Sequence, residues 1–249
     1  MESAATSEMP RIIEMILYLI GKVQMYDDKF YKDMASAYLE QTAWTRLRLA
    51  QVKRMVDPQP GDRVIDLGCG MGAVSHFCST FGAEVVGVDL SPTAIQAARR
   101  IFEDAPITFY ARDVSDLYGI ADASFDKAVS ADLVEHITQS SFEGMAKEAF
   151  RVLEPGGTLS IYTPNPTHLI ERMKAHNFIL KQNPTHIDLK RRKRLVTTLE
   201  AAGFHIKMAY FTPSFIPVFS LIERMMIPLP ALGAFFRYRT CISAIKHDA

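Results

Sequence analysis

Ten residues, 63–72, constrain the fold of this chain more than any others: Arg-Val-Ile-Asp-Leu-Gly-Cys-Gly-Met-Gly. The apolar start predicts a buried strand that carries one acid, Asp66, and the three glycines predict a loop. Glycines let the backbone adopt positive φ and approach a ligand closely. A helix predicted over Met71–Thr80 would point its first N–H groups at that ligand. The segment therefore predicts a nucleotide-type cofactor site at the first turn of a doubly wound sheet.

The glycines alone leave open a dinucleotide, another nucleotide-like cofactor, or a turn that serves geometry only. The dinucleotide pattern G-x-G-x-x-G/A is satisfied by Gly68, Gly70 and Ala73. Asp89 follows the predicted strand Glu84–Val88, where a carboxylate can accept hydrogen bonds from ribose hydroxyls. Asp66 would repel a pyrophosphate and attract an ammonium group. S-adenosylmethionine has a ribose and an ammonium but no phosphate, so we predict that it is the cofactor.

Strand-like and helix-like segments alternate along the chain, which predicts a parallel sheet with helices on both faces. The other predicted strands are Ile107–Ala111, Phe125–Ala131, Thr158–Tyr162, His205–Phe211 and Thr240–Ile245. The other predicted helices are 26–56, one capped by Ser91, Thr138–Val152 and Asp188–Ala202. We expect an α/β, doubly wound, mostly parallel seven-stranded Rossmann-like sheet with an antiparallel last strand.

Composition shifts divide the chain into three parts. Residues 1–60 are predicted to form N-terminal helices that cover the site, and residues 61–212 with 240–249 to form the cofactor-binding domain. Residues 213–239 are strongly apolar but interrupted by prolines, which argues against a transmembrane helix. This stretch predicts an apolar lid, a segment resting on a membrane surface, or a hairpin that completes the core.

The charge balance and the cysteine content limit the partners. Lys plus Arg and Asp plus Glu both number 28, so no global field would attract nucleic acid. The three scattered cysteines favour a reducing, cytoplasmic compartment, with peripheral membrane contact left open. The basic run Lys190–Arg194 predicts a solvated helix face or, alternatively, a contact with anionic lipid or phosphate. The sequence does not predict the oligomeric state.

Asp132, Glu135 and His136 follow the predicted strand Phe125–Ala131, at the edge where open α/β sheets bind ligands. On a helix these side chains would share one face. With His186 they could hold a divalent cation, either Mg²⁺ or Zn²⁺. Asp132 and Glu135 also fit a capping box that needs no metal, and His136 could act alone as a general base. The residues leave these three hypotheses open.

Between about Val52 and Gly203 the chain resembles class I S-adenosylmethionine-dependent methyltransferases. The motifs that carry the resemblance are Asp66–Gly70, Val86–Ser91, Arg112–Val114 and Glu154–Gly157. They look like the family's first motif, its ribose strand, its adenine-edge segment and the turn into its fifth strand. The resemblance implies a cofactor site formed by Arg48, Asp66, Gly68, Cys69, Gly70, Asp89, Leu90, Asp113, Val114 and Ala131.

The stretch 132–136 is similar to the E-x-x-E-H motif of ubiquinone-pathway O-methyltransferases and small-RNA 2′-O-methyltransferases. In those families two acids, the His and a distant second His are associated with a divalent cation. The resemblance implies the same roles here, catalytic for the first three and metal-ligating for all four, at Asp132, Glu135, His136 and His186. Leu47-Arg48-Leu49 also resembles a segment of the quinone enzymes whose Arg contacts the cofactor carboxylate.

These observations predict methyl transfer from S-adenosylmethionine to a small apolar acceptor. Transfer to oxygen is favoured because a nearby His or metal could help the acceptor lose its proton. The alternatives are a nicotinamide-dependent oxidoreductase, a metal-assisted RNA 2′-O-methyltransferase, and a non-catalytic relative.

Overall fold

The computed structural model describes residue 38 and residues 40–176, 183–230 and 232–247. Within them, seven strands form one sheet: β1 (Arg63–Leu67), β2 (Glu84–Asp89), β3 (Ile107–Ala111), β4 (Phe125–Ala131), β5 (Leu153–Pro164), β6 (Phe204–Thr212) and β7 (Arg239–Lys246). The strand order is β3-β2-β1-β4-β5-β7-β6. All pairs from β3 to β5 are parallel, and β7 runs antiparallel to both β5 and β6. The predicted fold class is confirmed.

Helices of the described residues follow most of the strands. They are α1 (Ala43–Val56), α2 (Ala73–Ser79), α3 (Pro92–Ile101), α4 (Gln139–Val152), α5 (Leu169–Ala175), α6 (Arg192–Ala201) and α7 (Pro217–Met226). Hydroxyl side chains set several helix starts. Ser91 caps α3 by accepting from the Ala94 N–H, and Thr138 caps α4 by accepting from the Ser141 N–H. Two 3₁₀ turns, Val134–His136 and Leu232–Phe236, complete the elements described here.

The core lies on both faces of the sheet because successive strand residues point to opposite sides. In β1, Val64 belongs to one apolar cluster, whereas Ile65 and Leu67 belong to the other. All three side chains are fully buried. Burial on both faces is typical of a parallel sheet covered by helices.

The helix boundaries depart from the prediction at two places. The helix predicted over 26–56 is interrupted at residues 40–42, and α1 begins only at Ala43, because Thr42 caps it by accepting from the Thr45 N–H. The helix predicted over Asp188–Ala202 begins only at Arg192, because residues 185–190 run across the 3₁₀ turn Val134–His136 instead. Lys190 is buried there and donates to the carbonyls of Val134 and Ile137 at 2.8 Å each. The prediction that Lys190 lies on a solvated face is therefore wrong, although residues 191–194 are exposed.

The N-terminal and apolar segments are described only in part. Residues 1–37 and 39 lie outside the described residues, and with them most of the predicted N-terminal helices. Residues 213–238, here called the apolar insertion, connect β6 to β7 and contain α7 and the second 3₁₀ turn. Within the described ranges, no helix has the length and apolar character needed to cross a bilayer.

Candidate functional site

The glycine loop lies between β1 and α2, and its three glycines have different structural roles. Gly68, Gly70 and Gly72 all have positive φ. A Cβ added at Gly68 would lie 2.7 Å from the Leu133 side chain, and one at Gly72 would lie 2.8 Å from Phe109. A Cβ at Gly70 would meet no protein atom within 4 Å. Gly68 and Gly72 thus permit close packing, whereas Gly70 presents its backbone to open space.

Asp89, at the end of β2, ties the loop to its neighbouring strand. Its Oδ2 accepts the Gly70 N–H at 2.9 Å, and its Oδ1 accepts the Ser91 N–H at 2.9 Å. The next side chain, Leu90, is 55% exposed despite being apolar. The structure therefore brings the predicted ribose acid, the predicted cofactor residue Leu90 and the glycine loop to one edge of the sheet.

Asp66 is a buried acid at the end of β1. Its Oδ2 accepts a hydrogen bond from the Ser75 hydroxyl at 2.7 Å. Burial raises the pKa of Asp66 to about 6, opposed by the Ser75 hydrogen bond and by the Arg48 charge. A cation placed beside this carboxylate would therefore favour its ionised form.

The remaining predicted cofactor residues line the same region. Asp113 closes a turn after β3, accepting from both the N–H and the hydroxyl of Ser115 at 2.8 Å, and Val114 beside it is buried. Cys69 is also buried, and burial raises the pKa of its thiol well above the usual value.

The other two cysteines, Cys78 and Cys241, do not belong to the predicted cofactor site. They are buried too, and burial likewise raises the pKa values of their thiols.

Arg48 connects α1 to the end of β4. Its Nη2 donates to the Ala131 carbonyl at 2.9 Å, and its Nε lies 2.8 Å from Asp132 Oδ2. Arg239, the first residue of β7, contacts the other oxygen, Asp132 Oδ1, at 2.8 Å. The Asp132 carboxylate is therefore held between two guanidinium groups.

The helix on which Asp132, Glu135 and His136 would share one face does not form. Asp132 has a left-handed backbone with φ of 61°, and only Val134–His136 form a single 3₁₀ turn. Leu133 precedes that turn, and the turn has no side-chain cap. The three polar residues therefore do not share a helix face, and the capping-box hypothesis fails because the helix that it would cap does not form.

Glu135, His136 and His186 do come together. One ligand atom from each lies within 4.8 Å of the others. Glu135 Oε2 accepts the Thr163 hydroxyl at 2.9 Å, and its Oε1 lies 4.0 Å from His136 Nε2. His136 Nδ1 lies 2.9 Å from the Thr185 carbonyl. Since a carbonyl only accepts, Nδ1 carries the proton, and in the neutral ring Nε2 is the basic atom.

The electrostatics of this group follow from its burial. Burial raises the pKa of Glu135, and the neighbouring Asp132 adds to the effect, while Arg239 opposes it. Burial also lowers the pKa of His186, which favours its neutral form. The buried His186 Nδ1 has no hydrogen-bond partner among the described residues. A carboxylate and two imidazoles with an unsatisfied ring nitrogen fit the ligand types that divalent metals take.

A buried pair that the sequence did not reveal anchors the apolar insertion. His168 and Glu223 are both fully buried, and His168 Nε2 lies 2.7 Å from Glu223 Oε1. His168 Nδ1 accepts the Ile170 N–H, so Nε2 carries the proton and donates it to Glu223. The two residues are separated by 55 positions in the chain, and Arg239 lies 107 positions after Asp132. Nothing local in the sequence signals either contact.

Comparison with known proteins identifies a family domain and several similar enzymes. Residues 64–157 match a family model described as a methyltransferase domain. The ubiquinone biosynthesis O-methyltransferase of Xanthomonas campestris pv. campestris is 32% identical over 110 residues, which are 43% of this chain and 45% of that protein. The chain spans about half the length of the curated relatives it matches.

Solved structures show the same fold. Phosphoethanolamine N-methyltransferase 2 of Haemonchus contortus, in complex with S-adenosyl-L-methionine, has a TM-score of 0.65 and 22% identity over 90% of this chain and 58% of that one. A methyltransferase of Methanosarcina mazei has a TM-score of 0.59 and 22% identity over 77% of this chain and 95% of that one. These likenesses show a Rossmann-like fold, and residues 64–157 match the methyltransferase domain. Together the fold and the domain match support a class I S-adenosylmethionine-dependent methyltransferase.

Proposed function

We propose that the protein transfers the methyl group of S-adenosylmethionine to a small apolar acceptor, with oxygen as the methylated atom. The observation that carries the cofactor assignment is the backbone of Gly70, which faces open space and donates its N–H to the Asp89 carboxylate. Methyl transfer consumes the positive charge of the sulfonium, so an apolar site that aligns acceptor, methyl and sulfur suits the reaction.

The residues around the loop have distinct roles in this proposal. Asp66 attracts the ammonium group, and Asp89 accepts from the ribose hydroxyls. Asp113, Val114 and the exposed Leu90 border the adenine. Arg48 receives the cofactor carboxylate, using guanidinium donors beyond those that contact Ala131 and Asp132. The close-packed base of the proposed cofactor pocket consists of Gly68, Cys69 and Ala131.

His136 is the proposed general base. Its Nδ1–H donates to the Thr185 carbonyl, which orients the ring and leaves Nε2 as the proton acceptor. Glu135, 4.0 Å from Nε2, would in its ionised form stabilise the imidazolium that forms when His136 takes the acceptor's proton, and that positive charge would in turn oppose the burial that raises the pKa of Glu135.

A divalent cation is the second candidate. Glu135, His136 and His186 would hold it, because their ligand atoms already converge within 4.8 Å. Asp132, predicted as a fourth ligand, is instead neutralised by Arg48 and Arg239. Such a cation would lower the pKa of a hydroxyl acceptor bound to it.

The apolar insertion is the proposed cover of the acceptor. The end of β5 supports both the insertion and the candidate catalytic group. Thr163 donates to Glu135, while Asn165 Nδ2 donates to the Arg237 carbonyl and the Thr167 hydroxyl to the Ala234 carbonyl. A replacement of residues 215–232 by a short Gly-rich linker should spare cofactor binding and abolish turnover. Unfolding of that variant would mean that the insertion is part of the core.

The N-terminal segment is the second proposed cover, and one described residue supports it. The Tyr38 hydroxyl lies 2.7 Å from His76 Nδ1 on α2, and the Tyr38 ring meets Phe102 edge-on at 6.0 Å. Tyr38 therefore packs on the helix that begins at the glycine loop. Residues 1–60 are proposed to cover the cofactor side of the site.

One experiment tests cofactor and reaction together. Calorimetry should show binding of S-adenosylmethionine and no binding of NAD, and tritium from the labelled methyl group should move into the organic phase when apolar phenols are supplied. NAD binding without methyl transfer would favour the oxidoreductase alternative, which the methyltransferase domain match already disfavours.

A chelator separates the two catalytic candidates. If a cation is required, turnover should fall with chelator and recover when Mg²⁺ or Zn²⁺ is added. If His136 acts alone, chelator should leave turnover unchanged while His136→Ala still abolishes most of it. Activity that survives both treatments would exclude both candidates.

A further inference from the structure

The outward face of α7 is apolar and exposed. Val218, Leu221, Ile222 and Met225 are exposed by 77%, 62%, 46% and 70%. Their spacing of i, i+3, i+4 and i+7 places them on one face of the helix. The opposite face carries Phe219, whose ring meets His168 and Phe236 at 6.3 Å each. The inner face thus already has its packing partners, and the outer face faces solvent.

The residues that flank α7 extend this face. Four more large apolar side chains are between 40% and 54% exposed: Phe215, Ile216, Leu229 and Leu232. The eight residues together are here called the apolar face. Soluble proteins rarely expose a contiguous patch of this kind unless it contacts a partner or a membrane.

The apolar insertion buries its negative charge and exposes a positive one. Between residues 213 and 238 the sequence contains one acid, Glu223, and two bases, Arg224 and Arg237. Glu223 is fully buried, where it accepts from His168 Nε2 at 2.7 Å and from the Ser214 N–H at 2.5 Å. Arg224 is exposed next to the apolar face. The only carboxylate of the segment is therefore turned away from the surface, and a cation remains there.

Basic residues lie near the start of the apolar insertion. The guanidinium groups of Arg192 and Arg237 both lie over the Phe211 ring, at 4.8 Å and 5.0 Å from its centroid. This contact joins the start of α6 to the end of β6, where the insertion begins. The four cations of residues 191–194 are all exposed. Apolar side chains bordered by cations match an interface between lipid tails and anionic headgroups.

We propose that the apolar face docks on the surface of an anionic lipid bilayer, with Arg224 and the basic residues 191–194 at the headgroups. With ten residues, α7 is far too short to span a bilayer, so it would lie in the interface plane. The buried His168–Glu223 pair anchors the helix with its apolar side outward. The proposal concerns where the protein binds, and it does not depend on the proposed reaction.

Vesicle flotation of the full chain tests the proposal. The protein should float with vesicles of phosphatidylcholine and phosphatidylglycerol at low salt, less at high salt, and less with phosphatidylcholine alone. The double variant Val218→Glu with Met225→Glu should lower the partition coefficient at least about tenfold. Arg224→Ala should lower it about fivefold on anionic vesicles only.

Matched controls keep the test specific. Tyr118 is 83% exposed and lies outside the insertion, so Tyr118→Glu should leave flotation unchanged; Arg100→Ala, on the exposed side of α3, is the control for Arg224. Each variant should retain the wild-type melting temperature and affinity for S-adenosylmethionine. Absence of flotation with anionic vesicles at low salt, or an equal loss in the control variants, would overturn the proposal. Concentration-dependent dimers that the double variant abolishes, without flotation, would instead assign the face to a second copy of the chain.

Discussion

The two halves of the proposed site, the cofactor half and the acceptor half, are built from contacts of different range. On the cofactor side, Asp89 contacts Gly70 and Ser91, which are 19 and 2 positions away, and Asp66 contacts Ser75, 9 positions away. On the acceptor side, Arg239 contacts Asp132 across 107 positions, and Glu135 contacts Thr163 across 28.

The difference lies in what each half must hold. A cofactor of fixed structure can be bound by a short loop, backbone N–H groups and carboxylates that end adjacent strands. The acceptor half must hold buried charges, and these are stable only when opposite charges and hydrogen-bond donors come from distant parts of the chain. The glycine-loop part of the cofactor half is therefore a local motif, although Arg48 reaches Ala131 across 83 positions, whereas the acceptor half depends on the whole fold.

His136→Ala should have the largest effect and should leave the cofactor half intact. Loss of a general base costs about 10²–10⁴-fold in rate. We expect kcat for methyl transfer to fall by that factor, while calorimetry shows unchanged affinity for S-adenosylmethionine. His205, exposed on the edge strand β6, offers the matched control His205→Ala. A His136→Ala variant with wild-type kcat would remove this residue from the reaction.

Asp89→Ala should affect the other half. The variant loses the charge-assisted hydrogen bonds to the ribose and the acceptor of the Gly70 N–H, which is about 1.5–3 kcal/mol or roughly ten- to a hundredfold in affinity. The dissociation constant for S-adenosylmethionine, measured by calorimetry, should rise by that factor. The exposed Asp104 supplies the control Asp104→Ala. Equal affinity in both variants would contradict the assignment of the ribose acid.

Cofactor affinity should depend on pH through Asp66. Burial raises its pKa to about 6, so the ligand-free protein carries a neutral Asp66 below that pH. The cofactor ammonium favours the ionised form, so affinity should fall roughly tenfold per pH unit as the pH drops below this value. Titration calorimetry across this range would measure the slope, and Asp66→Asn should flatten it. A slope that persists in Asp66→Asn would assign it to another group.

The stability of the ligand-free protein should change with pH in the opposite direction to the cofactor affinity. The pKa of Asp66 is higher in the folded state than the ordinary value of 3.8, so the folded state binds the proton more tightly than the unfolded state. The contribution of Asp66 to the free energy of unfolding is therefore largest below pH 3.8 and decreases as the pH rises toward 6. Denaturant unfolding of the wild type and of Asp66→Asn would isolate this contribution.

The smallest expected effect separates two glycines of the same loop. Ala at either Gly68 or Gly70 places a side chain at positive φ, at a cost of about 1–2 kcal/mol. Only Gly68→Ala also forces a methyl group against Leu133, which adds about 1 kcal/mol. Denaturant unfolding should therefore show a lower stability for Gly68→Ala than for Gly70→Ala. Relative to the stability that each variant loses, Gly70→Ala should lose more affinity for the cofactor. Identical unfolding midpoints would contradict the packing role of Gly68.

The local contacts explain how much of the molecule could be predicted from the sequence. Strands β1, β3 and β4 match the predicted bounds because each is a short apolar run between turn residues. The spacing of Asp132, Glu135 and His136 left the local structure open, and the segment forms a left-handed residue followed by one 3₁₀ turn instead of an α-helix. Lys190 resembles its four cationic neighbours in the sequence. Its burial depends on hydrogen bonds to the carbonyls of Val134 and Ile137, which are more than 50 positions away, and on a local one to the Asp188 carbonyl.

The burial of all three cysteines makes the native surface inert toward thiol reagents. Burial raises the pKa of the Cys241 thiol to about 12 and also raises the pKa values of the Cys69 and Cys78 thiols, so thiolates are scarce at neutral pH. A single cysteine introduced on the outer face of α7, such as Val218→Cys, would then react alone with a maleimide dye. The native cysteines therefore need not be replaced before labelling, and the core stays unchanged. One dye on α7 can then report the polarity around the apolar insertion.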